Sequence, residues 1–219
     1  MHRIFAMTKI FAFMLALFGC SKREEQPDVE YTMADHNRLW EEGLALVDPY
    51  MRLDDKPEKP TNNRHAIRDI EEGIEKLSAV VELKPANWAA LWVIGKAYQA
   101  LERPEDACNS FARSFEIEKE NADVAREYML SCLQLGRFEN VVSVAEHAAS
   151  LEPDEAGLIA NVALALVLAG RTEDALKKTE ESLAINPRDS ITQALNKRIH
   201  EIIDGSRPQP KSIAELESR

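Results

Sequence analysis

The sequence predicts an all-α protein built as a solenoid of helix-turn-helix units, and three observations support this prediction. A repeat with a period of 34 residues runs through the second half of the chain. Three similar phrases fall on that period: LERPEDA from Leu101, LGRFENV from Leu135 and AGRTEDA from Ala169. Apolar residues recur at helical spacing, and no strand-length window alternates between apolar and polar residues. We therefore expect about four helix pairs and a helix that caps the last of them.

Each repeat is expected to contain a helix, a tight turn and a second helix. Gly136 and Gly170 suit the left-handed residue that ends a first helix. Pro104 suits the first turn of a second helix, where its missing N–H costs nothing. Side-chain acceptors for helix N-termini follow the position that closes each repeat: Asn87, Asn121 and Asp189. These signals place three complete units in residues 85–189.

The recurring residues resemble the tetratricopeptide repeat. That pattern has Leu or Trp, Leu-Gly and Tyr in its first helix, and Ala, Phe and Pro in its second helix. The first complete unit matches it, with Lys119 in place of the proline, at these positions: Leu91, Ile94, Gly95, Tyr98, Ala107 and Phe111. The resemblance covers residues 88–189. It implies a curved array whose first helices line the concave face.

The flanking segments are expected to complete this array. Residues 33–84 form a divergent first repeat that is interrupted by a polar, proline-containing insertion at 48–63. Residues 190–204 continue as a capping helix, because the last pair of a solenoid needs a neighbour for its apolar face. Residues 205–219 are expected to form a flexible tail.

The first residues have the order of a bacterial lipoprotein signal. Arg3 and Lys9 precede an apolar run that is about half the roughly 20 residues a transmembrane helix needs. The phrase LFGC at 17–20 resembles the lipobox, which implies a signal peptide of residues 1–19 and a lipid on Cys20. Residues 20–32 then form a flexible tether. Met7 is an alternative start for the same leader, and an uncut hydrophobic tail is the alternative to cleavage.

The lipid anchor implies a membrane-anchored lipoprotein of the bacterial cell envelope. Ser21 after the cysteine favours the outer membrane, with the protein facing the periplasm. The net charge of −11 argues against nucleic acid as a partner, because no basic stripe is present to neutralise phosphates. A cytoplasmic adaptor with an uncleaved N-terminus is the alternative location.

The sequence contains no motif for catalysis. Its five histidines lack metal-ligand spacing, and HExxH, CxxC, GxSxG and a glycine-rich phosphate loop are absent. We expect no catalytic residue, metal, cofactor or small-molecule substrate, and an enzyme is the less favoured alternative. Cys108 and Cys132 fall on helices that pack antiparallel in the repeat, so a disulfide between them is a hypothesis. Two separate core cysteines are the alternative.

The resemblance also implies a peptide-binding groove. The groove positions of the tetratricopeptide repeat correspond here to nine residues: Trp92, Lys96, Gln99, Arg126, Leu130, Leu133, Asn161, Leu164 and Val167. This mixture of apolar groups and a few donors suits a hydrophobic or amphipathic peptide. Asn161 matches the position where many members of that family bond a peptide backbone. Packing of the leucines against the capping helix or the insertion is the alternative.

The sequence therefore predicts a lipid-anchored scaffold or adaptor that binds protein or peptide partners. It resembles envelope lipoproteins of this repeat class, which assist outer-membrane assembly, secretin and type IV pilus biogenesis, or recruitment of cell-wall hydrolases. Self-association is an alternative use of the same surface.

Overall fold

The computed structural model describes residues 31–53, 61–138 and 140–218, and these form ten α-helices. The helices are α1 His36–Val47, α2 Arg64–Leu83, α3 Trp88–Ala100, α4 Pro104–Ile117, α5 Ala122–Gln134, α6 Val141–Leu151, α7 Ala156–Leu168, α8 Thr172–Ile185, α9 Ser190–Ile203 and α10 Ile213–Glu217. A 3₁₀ turn, Asp48–Tyr50, follows α1. The predicted signal peptide, Cys20 and most of the tether lie outside the described residues, as does part of the 48–63 insertion.

The helices pair in sequence order, as a helix-turn-helix solenoid requires. α1 packs on α2, α3 on α4, α5 on α6 and α7 on α8, and each pair packs on the next. α9 packs on α7 and α8, where it covers the apolar face of the last pair. No β-strand occurs in the three described ranges. The predicted fold class, all-α with four helix pairs and a C-terminal capping helix, is confirmed.

The turns inside the three complete repeats share one geometry at positions 34 residues apart. Gly136 and Gly170 have φ values of +66° and +79°, so both adopt the predicted left-handed conformation. Glu102 stands at the corresponding position of the first repeat, with φ of +54°. In each turn the next residue donates its N–H back to a carbonyl five residues earlier, at 2.9 Å in all three cases. This bond closes the first helix and reverses the chain direction.

The predicted N-terminal caps also form. Asn87 Oδ1 accepts from the N–H of Ala90 at 3.1 Å, and Asn121 Oδ1 accepts from the N–H of Val124 at 3.1 Å. Asp189 caps α9 by accepting from the N–H of Ile191, two residues on, at 3.0 Å. These bonds satisfy backbone donors that have no partner inside the helix, so each first helix begins at a defined residue.

Three apolar clusters fill the interior of the array, and the smallest of them lies between α5, α6 and α7 around Ala125. The first joins α1, α2 and α3 and includes Leu39 and Leu77; the second runs from α4 to α10 and includes Met129 and Ile199. Gly95 sets the approach of α3 to α4, because a Cβ at that position would lie 2.6 Å from the buried Phe111 ring. The glycine and phenylalanine of the repeat pattern are therefore one packing unit.

The C-terminus carries a short helix within the segment predicted to be a flexible tail. Residues 206–218, which we call the C-terminal strap, fold against the array and include α10. Leu216 of α10 is only 3% exposed and belongs to the second apolar cluster. Ser212 Oγ accepts from the N–H of Glu215 at 3.1 Å, and the Glu215 carboxylate accepts from the N–H of Lys211 at 2.8 Å. These local bonds start a helix within a proline-containing segment, and the flexibility of residues 205–219 stays a prediction.

Candidate functional site

The first helices of the repeats line one continuous groove with a volume of about 960 Å³. Repeat stacking places α3, α5, α7 and α9 side by side, so equivalent positions on each helix face the same space. Side chains of these helices that line the groove include Lys96, Gln99, Arg126, Glu127, Leu130, Ala160, Asn161, Ile191 and Thr192. Tyr50, Arg52 and Thr61 from the insertion and Ile213 from the strap complete its walls.

A buried ion pair lies in the groove between α3 and α5. Lys96 Nζ is 3.2 Å from Glu127 Oε1, and the two side chains are only 6% and 8% exposed. Gln99 Nε2 donates to the other carboxylate oxygen at 3.1 Å. Taking two charges out of water is costly, so such a pair fixes geometry more than it adds stability. Here it fixes how two successive first helices face one another.

Trp92 lies between the Lys96–Glu127 ion pair and the first apolar cluster. Its ring packs against the first apolar cluster, and Lys96 Nζ lies 5.6 Å from the ring centroid, within reach of a cation–π interaction. Its indole Nε1 is buried and has no hydrogen-bond partner among the described residues. Trp92 is therefore part of the packing beneath the groove and does not line its open space.

The structure brings together five of the nine sequence-predicted groove residues: Lys96, Gln99, Arg126, Leu130 and Asn161. Leu133 and Val167 differ from the expectation, because they are 1% and 0% exposed inside the second apolar cluster. Leu164 is half-buried against the same cluster. The capping helix α9 and the strap supply apolar side chains to that cluster, which explains the burial.

Glu127 is one of the groove residues that sequence reasoning missed, as are Ile191 and Thr192 of α9. Its charge looks like one more solvated acid of a charged helix, and its partner Lys96 stands 31 residues earlier. The one signal was their separation of 31 residues, which is three fewer than the repeat period. Two residues with this spacing lie on facing sides of successive first helices.

The far end of the groove carries a fixed negative charge. Asp189 accepts a hydrogen bond from the Thr192 hydroxyl, and this bond, with the backbone N–H of Ile191, holds the pKa of Asp189 below its ordinary value. Asn161, between the two ends, makes no hydrogen bond with another described residue. Its carboxamide is thus available to a ligand.

Cys108 and Cys132 meet, as their helix positions predict. Their Sγ atoms lie 3.3 Å apart, which is the contact of two thiols and not the roughly 2.05 Å of a disulfide bond. Burial, with the hydrogen bond from Cys108, raises the pKa of Cys132 to about 12. The disulfide between them stays a hypothesis, which a titration of free thiols tests.

No protein-family model matches the chain. The chain is 28% identical over 127 residues to anaphase-promoting complex subunit 7 of Dictyostelium discoideum, over 57% of this chain and 21% of that protein. The chain thus spans about a fifth of the length of that curated relative.

Two solved structures are similar in fold. MamA superposes with a TM-score of 0.58 at 15% identity, over 74% of this chain and 93% of that one. YrrB, described as a TPR protein with an unusual peptide-binding site, gives a TM-score of 0.57 at 15% identity, over 69% of this chain and 77% of that one. At these identities the likeness establishes the fold, which is the tetratricopeptide-type solenoid. Among the residues that the structure describes, no helix combines the length and the apolar character needed to cross a bilayer.

Proposed function

We propose that this protein is an interaction scaffold that binds a peptide segment of a partner protein in the groove formed by α3, α5, α7 and α9. One observation carries the proposal: the repeats align polar and apolar side chains into one continuous groove of about 960 Å³. A groove shared by four helices and lined by both charged and apolar side chains suits an extended or helical peptide better than a small substrate. YrrB, a protein of the same fold with an unusual peptide-binding site, supports the proposal.

The groove favours an amphipathic peptide. Leu130 and Ile191 offer apolar contact along it. The carboxamide of Asn161, which bonds no other residue in the described part of the chain, can both donate to and accept from a peptide backbone. The charged centre at Lys96 and Glu127 has its hydrogen bonds made within the protein, so it orients the walls and leaves recognition to its neighbours.

Peptide selection tests the groove. A random peptide library is panned against the purified protein, and the affinities of the selected peptides are measured by fluorescence anisotropy. We expect Asn161→Ala and Leu130→Asp to weaken binding at least about 10-fold, since each removes a contact worth about 1.4 kcal/mol or more. Lys177→Ala on α8, where the side chain is 73% exposed, is the matched control and should change nothing. Equal binding by all variants would contradict the groove assignment.

We further propose that the scaffold is held at the bacterial envelope by a lipid on Cys20. The sequence order of Arg3, Lys9, a short apolar run and LFGC supports this part of the proposal. Several acyl chains together hold a protein on a membrane, whereas one chain binds only marginally.

Metabolic labelling with palmitate tests the anchor. We expect the wild type to incorporate label and to sediment with membranes, and Cys20→Ala to do neither. Cys132→Ala is the control, because it removes a thiol and should keep the label. An unlabelled, uncleaved wild type in the soluble fraction would contradict the anchor and favour a cytoplasmic adaptor.

A further inference from the structure

The C-terminal strap turns away from α9 at Gly205 and folds back onto the array. Gly205 directly precedes residues 206–218 and adopts φ of +80°, a conformation that suits glycine. Arg207 then bonds back to α9, with its Nε 3.1 Å from the Glu201 carboxylate. The strap therefore starts at a defined point on the capping helix.

Side-chain hydrogen bonds seat the strap across the ends of two helices. Gln209 donates through Nε2 to the carbonyl of Val167, at the end of α7, and accepts through Oε1 from the Thr172 hydroxyl, at the start of α8, at 2.9 Å. Arg198 of α9 donates to the carbonyl of Glu217 at 3.3 Å. The Gln209 side chain thus bonds the end of α7 and the start of α8 at once.

The strap presents two apolar side chains three residues apart. Leu216 is buried in the same apolar cluster as Leu133, Val167 and Ile199. Ile213, one helical turn earlier, lines the groove itself. The strap therefore lies partly in the open groove, through Ile213, and partly in the second apolar cluster, through Leu216.

The strap contains the shortest α-helix of the described residues. α10 has five residues, and an isolated helix of that length does not form in water. Of its residues only Pro210 and Leu216 are fully buried, and its bonds to Thr172 and Arg198 are exposed to solvent. Segments with few buried side chains and exposed hydrogen bonds open at lower free energy than the helices they cover.

We propose that the strap is an internal occupant of the C-terminal end of the groove, and that a partner displaces it. The displacing segment has the strap's own chemistry: an amphipathic turn of helix with two apolar residues three apart, preceded by a side-chain amide that bonds the end of α7. This inference rests on the proposed function, because it assigns a partner class to one end of the same groove. Displacement frees the apolar site of Leu216 and the carbonyl of Val167 for the incoming segment.

A labelled synthetic peptide of sequence 206–218 tests this proposal on the full-length protein. Leu216→Asp releases the strap by placing a charge in the apolar cluster, and the peptide is expected to bind this variant at least about 10-fold more tightly than the wild type. A peptide carrying the same Leu-to-Asp change should bind neither protein. Lys211→Ala, at an exposed strap position, is the matched control and should behave like the wild type.

Hydrogen exchange supplies a second measurement. In the wild type, residues 206–218 are expected to exchange faster than α7 and α9, and in Leu216→Asp faster still. Gln209→Ala removes only the bonds to the ends of α7 and α8, so it should speed the exchange of the strap by a smaller amount. This variant serves as the test if Leu216→Asp fails to fold. Equal peptide binding by the wild type and Leu216→Asp, no peptide binding to either, or a strap that exchanges as slowly as α7 would overturn the proposal.

These outcomes separate the strap from the groove. If selected groove peptides depend on Asn161 but the 206–218 peptide binds no variant, the groove function stands and the strap proposal fails. If the 206–218 peptide binds Leu216→Asp but no library peptide depends on Asn161, the strap proposal stands and the wider groove assignment fails.

Discussion

Removing one partner of the buried ion pair between α3 and α5 is expected to destabilise the protein strongly. At a separation of 3.2 Å and an effective dielectric constant of about 20, the gross attraction between Lys96 and Glu127 is about 5 kcal/mol. Lys96→Met loses this attraction and leaves a carboxylate that is 8% exposed with Gln99 as its remaining close donor. Breaking a buried pair in this way typically costs about 3–5 kcal/mol. Arg126, 3.9 Å from the carboxylate, compensates in part, so we expect about 3 kcal/mol.

Urea denaturation followed by far-UV circular dichroism measures this change, and thermal unfolding gives a second value. For a domain of this size about 3 kcal/mol corresponds to a fall in Tm of about 6–12 °C. The double variant Lys96→Met/Glu127→Leu removes both charges and should recover most of the lost stability. Lys76→Met is the matched control, since Lys76 pairs with Glu42 at 2.9 Å but is 21% exposed, and it should cost less than about 1 kcal/mol.

Two results would refute the reasoning. Lys96→Met within about 0.5 kcal/mol of the wild type would mean that the pair is not desolvated in solution. A double variant less stable than Lys96→Met would mean that Glu127 is held by something other than Lys96.

Three further predictions concern packing, turn geometry and thiols. Gly95→Ala places a methyl group 2.6 Å from the Phe111 ring and should cost about 1–3 kcal/mol in urea denaturation, whereas a neutral result would show that α3 and α4 separate freely. Gly170→Ala meets no atom within 4 Å but keeps φ of +79°, so its cost should be conformational and about 1 kcal/mol; a larger cost would indicate hidden contacts. Cys108 and Cys132 should titrate as two free thiols in non-reducing denaturant. Alkylation of native Cys132 at about pH 8 should be slow, since its pKa of about 12 leaves almost no thiolate. Zero free thiols would establish the disulfide instead.

The repeat period predicted most of the fold because local chemistry enforces it. Glycine at a left-handed position, asparagine at a helix start and the close contact between Gly95 and Phe111 act within one repeat. The groove was predictable only where a side chain's position on its own helix decides its exposure, as for Gln99 and Asn161. Leu133 and Val167 were not predictable in this way, because later segments of the chain bury them.

The strap escaped prediction for a related reason. Composition suggests a loose tail, since Pro208 and Pro210 interrupt any helical pattern. The local signal was a capping sequence, Ser212 followed three residues later by Glu215, which starts even a short helix. What keeps that helix in place is tertiary: a pocket for Leu216 that exists only after α7 and α9 have packed.

The ion pair between Lys96 and Glu127 crosses a repeat boundary, which gives it a role that an apolar contact could not fill. In a solenoid each boundary contributes its own term to stability, and an apolar boundary is at least as stable as an ionic one. Hydrophobic contact, however, has little directional preference, whereas a lysine and a carboxylate joined at 3.2 Å fix how α3 and α5 face one another. That orientation places Gln99 and Arg126 in the groove. The double variant Lys96→Met/Glu127→Leu is therefore expected to keep the stability of the array while weakening the selected groove peptides, and unchanged peptide affinity would show that the boundary geometry does not depend on charge.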